Sequence, residues 1–175
     1  FINYIVHNIL HMIVKDSMAL IHLAKTTLLE KSCKYFKKTT IPKKVYDEVI
    51  MHKEKNFIDI KIITELLEKN IINVTEIKNK KMLEKINELN IQKGEAEAIA
   101  LYWQESADYL ATDDDNVRKK NIILNIRIIG TPAIMLKLYK EKMIDKNKFV
   151  DSINKLRKIG WFSNAILDKI LMEVK

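Results

Sequence analysis

Short apolar runs alternating with longer stretches of helical periodicity are the feature that most constrains this chain. That alternation is the pattern of an α/β domain whose helices cross over between parallel strands. "MIVK" (12–15) reads as the first strand. Residues 17–36 follow as one helical stretch, with Leu20, Leu23, Ala24, Leu28 and Leu29 at helical intervals. Residues 39–41 suit a short strand, and Pro42 then opens a helix over 42–53 with Val45, Val49 and His52 on one side. Residues 57–69 read as a helix, although 57–62 also alternate like a strand; 71–77 read as extended and 80–90 as a short amphipathic helix.

Gly94 precedes "EAEAIALYWQES", apolar nearly throughout and so expected to be buried on much of its circumference. Residues 108–112 form another expected strand, after which Asp115 caps a helix beginning "NVRKK". Residues 126–130 give a last strand, followed by a helix with Thr131 as N-cap and Pro132 at its first position. Two closing helices run from Asp145 to Gly160 and onward from Ser163.

Composition narrows the class. A chain of 175 residues with 47% hydrophobic and 31% charged residues suits one soluble domain with a real core. Three glycines and two prolines leave little for linkers or all-β turns. A single cysteine, Cys33, excludes an internal disulfide and fits a small buried residue in a reducing cytoplasm. A net charge of +8 favours polyanionic partners.

Residues 1–11 are expected to be an extension ahead of a single domain spanning 12–175, with Met12 as a native start. The extension is too short to span a bilayer and carries no leader pattern, so no membrane role is expected. His7 and His11 stand at i,i+4, but no third ligand accompanies them. His22 and His52 read as surface or half-buried helix residues; Trp103, Trp161, Phe162 and the methionines read as core.

The acids carry the chemistry. In open α/β sheets, ligands gather beyond the carboxyl ends of the strands. Asp16 ends the first strand, and Asp113, Asp114 and Asp115 follow another. Alone, Asp16 reads as an N-cap for the helix from Ser17. If the two strands are neighbours, their carboxylates crowd and repel, and a divalent cation resolves the conflict; all-oxygen ligation points to Mg²⁺ or Mn²⁺. Arg118, Lys119 and Lys120, close to these strand ends, are candidates to hold a phosphate backbone, or else form a solvated helix face.

Four segments, "MIVKDSMALIHLAK", "TIPKKVYDEVI", "GEAEAIALYWQESADYLATDD" and "IIGTPAIML", resemble in order and spacing the PIN-domain nucleases, and most closely the prokaryotic branch that includes VapC-type toxins. The resemblance runs from Met12 to about Leu136 and more loosely to the end. It implies a three-layer α/β/α fold around a central, mostly parallel sheet. It also implies a Mg²⁺- or Mn²⁺-dependent endoribonuclease that hydrolyses RNA through a metal-activated water. An antitoxin partner and a homodimer are implied as well.

By the same resemblance Asp16 matches the first acid and Glu48 the second, and Asp113 and Asp114 cover the strand-end acids, either of which could bind metal. Asp16, Glu95 and Asp113 or Asp114 would hold the ion, with Glu48 orienting the attacking water or holding a second ion. The hydroxyl of Thr112 or Ser17 could orient these carboxylates. The third acid is Glu95 or Glu97, which lie about 200° apart on a helix. Glu95 lines up with Ala98, Ile99 and Tyr102 on the side facing the sheet; Glu97 lines up with Gln104 and Glu105 and should face solvent. Glu95 is therefore the choice.

The chain departs from the family pattern at Lys15, where an apolar residue is usual and a cation would compete with the metal, at Pro132, and in the helical material between Glu48 and Gly94. Two other readings stand beside this one. Haloacid-dehalogenase-like phosphatases also use a first-strand aspartate, but want a second where this chain has Met18. A PIN-like module that binds RNA or protein without cutting has no evident use for clustered acids.

Overall fold

The structure is a computed structural model that describes residues 11–51 and 57–174. Five parallel strands form one sheet: β1 (Met12–Lys15), β2 (Lys38–Pro42), β3 (Ile72–Thr75), β4 (Tyr109–Ala111) and β5 (Ile128–Ile129). Their spatial order is β3-β2-β1-β4-β5. The chain builds outward from β1 to one edge, then crosses back to lay β4 on the other side of β1. That reversal creates a crevice at the carboxyl ends of β1 and β4. Lys15 pairs with Ala111 there, and the Asp16 N–H extends the ladder by donating to the Ala111 carbonyl at 3.1 Å.

Helices cover both faces, giving the three-layer α/β/α arrangement. β1 alternates: Ile13 faces one apolar cluster, while Met12 and Val14 face the other. The first cluster is formed with α1 (Ser17–Lys25), α2 (Leu29–Phe36), α3 (Lys43–Ile50), α4 (Ile58–Glu68), α9 (Thr131–Lys140), α10 (Lys146–Ile159) and α11 (Asn164–Met172). The second is formed with α5 (Lys80–Asn87), α6 (Lys93–Gln104), α7 (Asp115–Lys119) and α8 (Asn121–Leu124). Among the described residues no helix is long and apolar enough to cross a membrane.

Several local expectations need correction. The stretch 17–36 is two helices, because Thr27 takes φ of +59°. Its N–H donates to the Ala24 carbonyl and that of Leu28 to Leu23, the paired bonds of a Schellman ending, while the Thr26 hydroxyl donates to the His22 and Leu23 carbonyls. Pro42 completes β2 and stands just before α3 rather than inside it. Asp114, not Asp115, caps α7, and Gly130 precedes α9 where Thr131 was expected as cap. Met51 and Met172 are exposed rather than core. Residues 1–10, with His7, and His52 lie outside the described residues.

Lys15 resolves differently from its expected competition with a metal. Its side chain is fully buried on the Ile13 side of β1, with Nζ 5.1 Å from the centroid of Phe36. Among the described residues, no hydrogen-bond partner reaches it. Burial lowers its pKa to about 8, while the nearby Cys33 thiol, itself pushed up by burial, acts in the opposite direction.

Candidate active site

The acids gather at the crevice between β1 and β4. Asp16 leaves β1 with extended backbone and caps α1, its Oδ1 accepting the Ala19 N–H at 2.7 Å. Only 2% of it is exposed. Burial raises its pKa to about 7, and the charges of Asp113 and Glu95 add to that; the Ala19 N–H and the Thr112 hydroxyl oppose it. Capping alone explains the position of Asp16 but leaves the burial of its charge uncompensated.

Glu95 lies in the first turn of α6, where its Oε2 accepts the Gln92 N–H at 3.2 Å. It is half-buried, and its pKa is also raised to about 7, first by burial, then by the charges of Asp114 and Glu48. Lys120 relieves this only in part. Glu48 reaches the same place from α3. A methyl group built on Gly94 would stand 2.9 Å from its Oε1 and 3.0 Å from its Oε2. The missing side chain at Gly94 thus leaves a cradle for a carboxylate against the start of α6.

Glu97 is not the solvent-facing residue expected. It is half-buried, and its Oε2 accepts the Lys44 N–H at 3.1 Å, satisfying a free donor in the first turn of α3. The α6 surface toward α3 is polar for this reason.

The two strand-end acids are treated oppositely. Asp113 is 3% exposed, and both of its oxygens are engaged. Oδ1 accepts the Thr131 N–H at 2.7 Å; Oδ2 accepts the Thr131 hydroxyl at 2.5 Å and lies 2.8 Å from His22 Nδ1. Its main-chain carbonyl accepts the Trp161 indole N–H at 3.3 Å. Asp114 is half-buried; its Oδ1 accepts the Val117 N–H at 2.8 Å and its own N–H donates to the Thr112 hydroxyl at 3.1 Å. Its charge reaches Glu95.

Three participants were not foreseen. His22 is 4% exposed, not half-buried, and is paired with Asp113. Its position between Ala19 and Thr26 on the buried side of α1 was the available signal. Thr131, read as a cap, spends its hydroxyl on Asp113. Trp161, read as core, is 54% exposed, whereas Trp103 and Phe162 are half-buried.

Of the basic residues, Arg118 and Lys119 are exposed and line a groove of about 500 Å³ with Gly130 and Ala133. Lys120 is committed elsewhere, its Nζ donating to the Leu89 carbonyl at 2.7 Å and to Asn116 Oδ1 at 2.5 Å.

Among the described residues, no three histidine, cysteine or acidic side chains stand close enough to enclose an ion directly. The donor chemistry nonetheless fits a hard divalent cation. Asp16, Glu95, Glu48 and Asp114 offer only carboxylate oxygens, and two of them are held where negative charge is disfavoured without a cation.

Neither curated proteins nor solved structures give a match to this chain. A family model for the PIN domain matches residues 12–175, from β1 through the last helix. PIN domains are generally nucleases and typically use divalent metals. With its five-stranded parallel sheet and an acidic crevice at the strand reversal, the chain belongs to the PIN-domain family.

Proposed function

We propose that this protein is a divalent-metal-dependent endoribonuclease that hydrolyses RNA phosphodiester bonds at the acidic crevice. The observation that carries the proposal is the pair Asp16 and Glu95, buried or half-buried carboxyl groups raised to about 7 with other acids as neighbours. Leaving two such groups without a cation costs stability, and carboxyl groups perturbed by burial and like charge in a crevice are candidates for a functional site.

Asp16, Glu95 and Asp114 would hold Mg²⁺ or Mn²⁺, in part through water, since Mg²⁺ dehydrates reluctantly. When bound, the cation supplies Lewis-acid activation of water and shields charge on the phosphoryl oxygens. Glu48, held in the Gly94 cradle, would accept a proton from the attacking water or hold a second ion. Asp113 acts as a positioning residue, because its oxygens are already engaged by Thr131 and His22. Thr112 orients Asp114 through its main-chain N–H and favours the ionised form of Asp16. Arg118 and Lys119 would hold the RNA backbone along the groove they line, giving salt-dependent affinity.

A cytoplasmic setting, a toxin role with an antitoxin partner, and a homodimer belong to the same proposal; the order of the four resembling segments supports the toxin branch.

The deciding experiment is Asp16→Asn. Asparagine keeps a capping oxygen for α1 and removes the charge. Mn²⁺-dependent cleavage of a single-stranded RNA oligomer should be abolished with the circular dichroism spectrum unchanged; undiminished cleavage removes the proposed site. A second reading, a PIN-like module that binds without cutting, is favoured by the absence of a ready-made ligand trio among the described residues. Calorimetric titration with Mn²⁺ separates the two, because a binder without a competent site takes up no ion specifically.

A further inference from the structure

We propose that Trp161 is a stacking platform for a nucleobase of the RNA strand, placed one residue from the acidic crevice. The inference rests on the nuclease reading for the identity of the strand, and on independent geometry for the ring. α10 ends at Gly160, whose φ of +78° turns the chain toward α11. That turn brings Trp161 to the end of β4, where its indole N–H donates to the Asp113 carbonyl at 3.3 Å. Beneath it lies His22, with ring centroids 6.5 Å apart; Phe162 packs on the same imidazole at 5.4 Å.

The ring is thus tied at its polar edge with His22 nearby, yet Trp161 is 54% exposed. A tryptophan contributing only to the core would bury its large apolar area, whereas this one is fixed in orientation and left open. Such a ring binds with little ordering cost. Every base offers a π-face, so stacking tolerates any sequence. Asp113, whose carbonyl anchors the ring, is followed directly by Asp114, a proposed metal ligand.

Electrostatics give the platform a purpose. Carboxylates repel a phosphate chain wherever no cation intervenes, so attraction through an uncharged part of the strand adds to what the basic residues supply. A stacked base provides it without metal. Exposed Lys155 and Lys158 on the final turns of α10 can take the flanking phosphates.

The test measures binding in EDTA, so that it does not depend on cleavage. Fluorescently labelled oligoadenylate and an abasic chain of equal length are titrated with wild type, Trp161→Ala and Trp161→Phe. Trp161→Ala should bind oligoadenylate about tenfold more weakly, while Trp161→Phe stays within about threefold of wild type. Binding of the abasic chain should not change in either variant.

Equal binding of oligoadenylate by wild type and Trp161→Ala overturns the proposal, as does an equal loss on both chains. If that equality comes with a changed sedimentation coefficient, the ring serves a protein contact instead. Should Trp161→Ala fail to fold, Trp103→Phe leaves Trp161 as the sole tryptophan. Its emission should then be quenched by oligoadenylate and not by the abasic chain, and equal response to both overturns the proposal. Base-selective binding without Mn²⁺-dependent cleavage sinks the nuclease reading alone; cleavage without base selectivity sinks the platform alone.

Discussion

Two sets of carboxylates share one end of the sheet and meet opposite fates. Asp113 is buried with three hydrogen-bonding contacts on its carboxylate, two from Thr131 and one with His22, so both of its oxygens are engaged within the protein. Asp16 and Glu95 have main-chain N–H partners but acids as charged neighbours, and both are driven toward protonation. Burial alone therefore does not identify a catalytic acid in this fold. What separates the two sets is how many groups converge: Thr131 and His22 engage both oxygens of Asp113, whereas Asp16 receives the Ala19 N–H and the Thr112 hydroxyl yet stays close to other acids. A satisfied carboxylate holds the architecture, and an unsatisfied one is available to an ion.

The contrast predicts opposite behaviour for the two sets. Asp113→Ala would strand the Thr131 N–H and hydroxyl together with His22 Nδ1, so urea denaturation should show a loss of about 3–5 kcal/mol. A loss below about 1 kcal/mol would dissolve the distinction. Asp16 should behave the other way. With its folded pKa near 7 and its ordinary value at 3.8, its contribution is fully present below about pH 4 and is lost as pH rises through 7. Glu95 shifts in the same direction from 4.5.

Asp16 alone should therefore cost metal-free protein about 2–3 kcal/mol between pH 5 and pH 8, with Glu95 adding to it, and Asp16→Asn should reduce that fall. Mn²⁺ should raise the melting temperature more at pH 8 than at pH 6, since ligands must shed protons to bind it. A pH-independent metal effect would contradict this.

Gly94→Ala sharpens the comparison at Glu48. The added methyl would push the Glu48 carboxylate out of its cradle, weakening Mn²⁺ binding about tenfold by calorimetry, in the range of an outer ligand-orienting change. Stability should move little, because alanine gains about 0.5–1 kcal/mol over glycine within a helix. The smallest effect belongs to Lys15→Met. Removing a buried amine that lacks a partner should be neutral or stabilise by about 1 kcal/mol, with RNA cleavage unchanged.

Where local rules agreed, the sequence was readable. β1 and its terminal Asp16, the Asp145 and Ser163 caps, and the Gly160 stop all rest on residues with one strong conformational preference. The break at Thr27 was not readable, because a β-branched residue with positive φ is what local preference disfavours and only tertiary packing enforces. The acids were found as types at strand ends, but their division of labour was not. His22 and Asp113 are separated by 91 residues, and the Trp161 bond to Asp113 spans 48. Such pairings carry no periodic signature. Glu97 misled for a related reason: its polar face meets the start of another helix rather than water.

The junction at Asp113 also ties one end of the sheet to segments that come later in the chain. Its carboxylate is engaged by Thr131 and its carbonyl by Trp161, so local order around β4 alone does not complete the clasp. The acidic end of the sheet therefore reaches its full set of contacts only with α10 and the turn beyond it in place.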